Sequence, residues 1–215
     1  PGLGYYVSDR ARVGKAAATD FTTAAALGPM FGRLVAAAAR SLVGDLGAHA
    51  LVEVGAEPGQ SHFAAVAGEF AEARAFRFGD APVFPARSVL LAGGWSGAVI
   101  LLDYGKTIAQ CLESSPAGTA RAYRGHQLSG AILANLGSQD LTCHVLWDRL
   151  EPILAQAGFR GVRLERQEAF FVKHAAAEME RIATSGDQEA AGRLRALTHP
   201  AHFGAKFQVL HGVRG

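Results

Sequence analysis

The chain has 215 residues, 49% of them hydrophobic, which suffices for one α/β domain with a substantial core. Its formal charge of +2, with arginines scattered along the chain, excludes a polyanion-binding stripe, and no nucleic-acid partner is expected. No apolar run is long enough for a membrane span and no signal peptide is visible, so a cytoplasmic protein without a membrane partner is expected. Cys111 and Cys143 lack zinc spacing and read as half-buried thiols of a reducing compartment, so no metal is expected. The first residue, Pro1, stands in what reads as the middle of a motif, and the natural start is expected further upstream.

Gly4 to Phe21 is polar and glycine-punctuated, and reads as an extended arm. Thr22 and Thr23 are candidate caps for a helix whose stripe is Leu27, Met30, Phe31, Leu34, Val35, Ala38 and Leu42. Gly44 and Gly47 end it. A buried strand at the centre of a sheet is then expected from about His49, with Leu51, Val52 and Val54 as its apolar residues. Glu53 on that strand is followed by Gly55-Ala56-Glu57-Pro58-Gly59, and a helix is expected from Gln60 or Ser61. An acid, a glycine turn and a helix amino terminus are the parts of a nucleotide-binding turn, though many α/β domains make such turns with no cofactor. Glu57 stands where such turns usually have their middle glycine, and its carboxylate is expected to oppose a carboxylate-bearing ligand.

An alanine-rich helix is predicted over 63–72 and a second strand over 74–78. Asp80 follows Gly55 at roughly the ~20-residue spacing of a ribose-binding acid, and reads equally as an acid in a turn. Two short strands, 88–92 and 98–102, flank Gly-Gly-Trp-Ser-Gly, which lacks the spacing of a hydrolase nucleophile elbow. Asp103-Tyr104-Gly105 closes the second of them, at the strand end where open α/β sheets hold ligands. A long polar connection through Arg121 and His126 comes next. Asp140, Thr142 and His144 lie in a β-like run and read mainly as outward-facing or hydrogen-bonded polar residues. A helix over 145–157 is expected to become regular late because of Pro152, and Gly158 stops it. Val162 and Leu164 mark a strand. A helix over 167–182 places Phe170, Phe171 and His174 on one face, Ser185-Gly186-Asp187 breaks it, and a short helix runs to Leu197. The last strand is 206–213. No repeat and no linker divides the chain, so a single domain is expected.

Several of these pieces, in order, resemble the MidA-like methyltransferases, the family that includes the mitochondrial complex I assembly methyltransferase. They are Gly4-Tyr5-Tyr6, Asp20-Phe21-Thr22-Thr23, Glu53-Val54-Gly55-Ala56 and Asp103-Tyr104-Gly105. Gly118 to Tyr123, Gln139 to Val145, Gln167 to Phe171 and His199 to Gly204 continue the series. The resemblance implies a Rossmann-like class I methyltransferase sheet flanked by helices, with S-adenosylmethionine as cofactor. It implies that Asp20, Phe21, Thr22 and Thr23 fold over the cofactor, which Glu53, Gly55, Ala56, Gly59 and Asp80 help to hold. Asp103 and Tyr104 would be catalytic, orienting a substrate guanidinium. A protein substrate, methylated on arginine, is implied, with a homodimer as an option and a mitochondrial matrix setting if the source is eukaryotic. A family segment with an Asn-Glu pair and an Asp at the end of a middle strand has no match between Pro82 and Gly97, so the sheet is expected to be incomplete. Two alternatives stand beside this. One is a relative that kept the scaffold for binding or assembly after losing catalysis. The other is a nicotinamide dehydrogenase, disfavoured because Gly-Ala-Glu-Pro-Gly is not G-x-G-x-x-G.

Overall fold

The computed structural model describes residues 28–56, 61–77, 96–124, 127–129, 131–134 and 139–215. The expectations for Asp20, Phe21, Thr22, Thr23, Glu57, Gly59, Asp80, His126 and the strand over 88–92 lie outside those residues.

Helix α1, Pro29–Val43, forms where the apolar stripe predicts, and buries Met30, Phe31, Leu34, Val35 and Ala38. Its cap is Gly28 followed by Pro29, in place of the expected threonines. Proline suits that position because its fixed φ is already helical and its missing N–H would have no partner there. Gly44, at φ 79°, ends the helix and returns its N–H to the Arg40 carbonyl.

Strand β1, Ala50–Ala56, pairs in parallel with β2, Glu72–Arg77. The expectation of a buried central strand is corrected here. Among the described pairings β2 is the one neighbour of β1, and Val52 and Val54 are 36% and 63% exposed. Strand β3, Gly97–Asp103, hydrogen-bonds with β10 in a separate sheet.

The expected helix over 63–72 is also absent. Turns and a short 3-10 segment, Ala67–Glu69, occupy its place. The buried Glu53 carboxylate accepts the Ser61 hydroxyl at 2.6 Å and the His62 N–H at 3.1 Å, while Ser61 Oγ accepts the Phe63 N–H at 3.1 Å. These bonds tie the segment after the turn to β1. Val66 then packs into a small core with Ala36 and Leu46.

After β3 come β4, Gly105–Lys106, and α2, Ile108–Ser114, capped by reciprocal bonds between Thr107 and Gln110. The stretch expected to be a polar connection holds β5, Arg121–Arg124, and the start of β6, Gln127–Ser129, while the β-like run at Asp140 and Thr142 is β7, Asp140–Thr142. They form an antiparallel sheet in the order β6–β5–β7. Strand β8, Val145–Leu146, pairs with β4 and leads into α3, Trp147–Gln156. Pro152 sits inside that helix, which is regular from Trp147, so the predicted late start is corrected. Strand β9, Arg160–Arg166, follows Gly158 at φ 86°. The long helix expected next is two, α4, Gln167–His174, and α5, Ala176–Ala183, parted at Ala175 with φ −132° and ψ 24°. Asp187 caps α6, Gln188–Thr198, and β10, Gln208–Arg214, closes the chain.

The main sheet runs β3–β10–β9, with β10 antiparallel to both neighbours. Side chains alternate across it. Ile100, Leu102 and Val209 join α1, α4, α5 and α6 on one face, around the fully buried Phe170 and Phe171. Val99, Leu101, Leu164 and Leu210 pack on Trp147 and Leu154 of α3 on the other. Each large side chain buried this way contributes about 1.5–3 kcal/mol. The result is an α/β arrangement with helices on both faces. No helix among the described residues is long and apolar enough to cross a membrane.

Gly105 connects this core to the edge of the sheet. A Cβ there would stand 2.4 Å from both Trp147 Nε1 and the Val145 carbonyl oxygen. Gly105→Ala is therefore expected to cost about 1–3 kcal/mol of stability, read as a lower thermal unfolding midpoint. An unchanged midpoint would mean that Trp147 yields freely.

Candidate functional site

A cavity of about 1100 Å³ opens at the carboxyl ends of β3 and β9, beside the start of β10. Its walls bring together residues far apart in sequence: Asp103 and Tyr104, Tyr123 on β5, Asp140 on β7, His144, and Phe207 with Gln208. The register explains the juxtaposition. Tyr123 lies opposite Asp140, and Gln208 lies opposite both Asp103 and Arg166. Trp147 donates from Nε1 to Gln208 Oε1 at 2.6 Å, tying the cavity floor to α3.

The Tyr104 ring is held edge-on by His144, with centroids 5.5 Å apart, and by Phe207 at 5.8 Å. Burial pushes its hydroxyl pKa up to about 12, helped by the charges of Asp103 and Asp140. It stays protonated and serves as a hydrogen-bonding wall. Asp103 opens to solvent through the cavity, yet the surrounding protein raises its pKa, an effect partly offset by the Tyr104 N–H donated to Oδ1 at 2.7 Å. Asp140 is buried at 4% exposure. Burial lowers the His144 pKa, as do the nearby charges of Lys106 and Arg121, and its buried Nδ1 has no hydrogen-bond partner. The cavity thus offers two carboxylates, aromatic edges and a neutral imidazole. Lys106, Arg166 and Lys206 also line it.

Of the residues predicted from sequence, Asp103 and Tyr104 line this cavity. Glu53, Gly55 and Ala56 lie on β1, outside its lining. Asp20, Phe21, Thr22, Thr23, Gly59 and Asp80 lie outside the described residues. Sequence reasoning gave Tyr123, Phe207 and Gln208 no role, and took Asp140 and His144 as ordinary polar positions. Their signal is a register between distant strands, which local periodicity does not carry.

Residues 44–163, more than half of the chain, match the family described as "Putative S-adenosyl-L-methionine-dependent methyltransferase". The chain belongs to this methyltransferase family. Membership makes it an S-adenosyl-L-methionine-dependent enzyme. Two solved structures of one superfamily, both from Burkholderia thailandensis, share the fold of this methyltransferase. The first, bound to S-adenosyl-homocysteine, has a TM-score of 0.76 at 18% identity. The second, a native crystal structure, has a TM-score of 0.72 at 18% identity. Each likeness covers 100% of this chain and 84% of the other. Among curated proteins the chain has no match.

Gly55 and the buried Ala56 stand at the carboxyl end of β1. Glu53 spends both oxygens on Ser61 and His62, so it shapes the turn and holds its far side in place.

Proposed function

We propose that this methyltransferase acts on a protein, transferring a methyl group to an arginine side chain seated in the Asp103–Tyr104 cavity. The observation that carries the reading is the convergence of two carboxylates, Asp103 and Asp140, with the aromatic edges of Tyr104 and Phe207. Carboxylates pair with a planar guanidinium through two parallel hydrogen bonds, and aromatic rings tolerate its apolar faces. The sequence resemblance to the MidA-like branch points to the same substrate class. Lys106, Arg166 and Lys206 favour an arginine with acidic neighbours.

S-adenosyl-L-methionine supplies an electrophilic methyl group on a sulfonium. The S-adenosyl-homocysteine bound to the Burkholderia thailandensis neighbour supports that donor. Transfer is an in-line displacement, so the chain's own part is to orient the acceptor and exclude water. By the resemblance, Glu53, Gly55, Ala56, Gly59 and Asp80 would help to hold the cofactor, and Asp20, Phe21, Thr22 and Thr23 would fold over it. Asp103 orients the guanidinium and, with its raised pKa, is a better proton acceptor for the product than an ordinary aspartate. Tyr104 fixes the side chain's plane.

A pH profile tests this. Asp103 holds a cation only when ionised, so kcat/KM for an arginine peptide should fall as pH drops through its raised pKa. That acid limb is expected above the ordinary aspartate range and should vanish in Asp103→Asn. The same limb in the variant would remove Asp103 from the site. A second reading, a binding or assembly protein without catalysis, draws on the family segment that has no match between Pro82 and Gly97. Tight cofactor binding with no transfer to any protein would favour it.

A further inference from the structure

Glu165, His174 and His211 converge on the face of the main sheet that α4 covers, and nothing in the methyl-transfer chemistry uses them. One ligand atom from each lies within 4.8 Å of the other two. Glu165 Oε2 is 3.1 Å from His211 Nε2 and 3.9 Å from His174 Nε2. We propose that these three residues bind a divalent transition-metal ion of the zinc class through Glu165 Oε2, His174 Nε2 and His211 Nε2.

The donor set is the first reason. Two imidazoles and one carboxylate are ligands that zinc and its neighbours take, with a fourth position left for water. The spacing is the second. Bonds of about 2.0–2.2 Å to one ion place ligand atoms roughly 3–4 Å apart, which small side-chain rotations reach from the observed distances.

Burial and orientation are the third. His211 is 4% exposed, and the Phe170 ring packs against both imidazoles, with centroids 5.0 Å from His174 and 5.1 Å from His211. His174 Nδ1 lies 3.1 Å from Ser41 Oγ, so its N–H can donate there and leave the Nε2 lone pair turned to the cluster. That Nε2 is buried with no hydrogen-bond partner. A plain hydrogen bond from His211 to Glu165 leaves it unpaired, whereas a metal ion engages it. Lys173 donates to Glu165 Oε1 at 3.1 Å and leaves Oε2 for the ion. The ion would pin the last turn of α4 to β9 and β10.

Zinc titration of the chelator-stripped protein tests the site, by calorimetry and by thermal unfolding. One equivalent of zinc per chain is expected, raising the unfolding midpoint, and cobalt(II) in its place should give the visible absorption of a low-coordinate site. Glu165→Gln keeps the shape of the cluster and should weaken zinc binding at least about tenfold, and His174→Gln likewise, with unchanged circular dichroism. Failure of the parent to retain zinc or to be stabilised by it would overturn the proposal. So would equal affinity in Glu165→Gln. Binding that survives both variants and is lost in Cys111→Ser with Cys143→Ser would assign the metal to the thiols, and overturn it too.

Discussion

Asp103→Asn is expected to lower kcat/KM for an arginine peptide about 30-fold and to leave cofactor affinity unchanged. Removing one partner of a hydrogen-bonded charge pair costs about 2–5 kcal/mol. The lower end applies because Asp103 opens to solvent, and about 2 kcal/mol corresponds to ~30-fold. Asparagine keeps an oxygen for the Tyr104 N–H, now 2.7 Å from Oδ1, so the strand end should hold its shape. Initial rates over a range of peptide concentrations check this. A loss that falls on cofactor binding would place Asp103 beside the donor.

Glu53→Ala should act on the other half of the machinery. The buried carboxylate holds Ser61 and His62 at 2.6 and 3.1 Å, and the substitution strands the His62 N–H in a closed environment. Hydrogen bonds to a charged group contribute about 1.5–3 kcal/mol each. A net loss of about 3 kcal/mol is expected by urea unfolding, allowing for relaxation of the turn. Cofactor affinity should fall with it, because the turn loses its anchor. Unfolding at the parent's urea concentration would mean that the turn holds its conformation without Glu53.

The sequence carried most clearly what packing dictates locally. The α1 stripe reads directly from Met30, Phe31, Leu34, Val35 and Ala38, and the alternation of Val162 and Leu164 marks β9. Glycines at 44 and 158 stop helices because their positive φ suits no other residue as well. Errors arose where a distant group overrides local preference. Alanine-rich 63–72 is a good helix former, but Val66 is drawn into a core with Ala36 and Leu46. The signal for α2 was present as Thr107 and Gln110, three apart, the spacing of a capping box. The walls of the cavity were hidden for a different reason. Asp140 reaches Tyr104 only through the pairing of β7 with β5, and Phe207 only through the return of the chain before β10. The Glu165, His174 and His211 cluster is likewise assembled across three elements.

Transfer of labelled methyl groups tests the proposed reaction most directly. The protein is incubated with methyl-labelled S-adenosylmethionine and arginine-containing peptides with acidic neighbours, and the label is located by mass spectrometry. Label on arginine nitrogen is expected with the parent and should be strongly reduced with Asp103→Asn at equal cofactor occupancy. Label on another side chain, or on arginine to the same extent in both proteins, would contradict the proposed use of the Asp103–Tyr104 cavity.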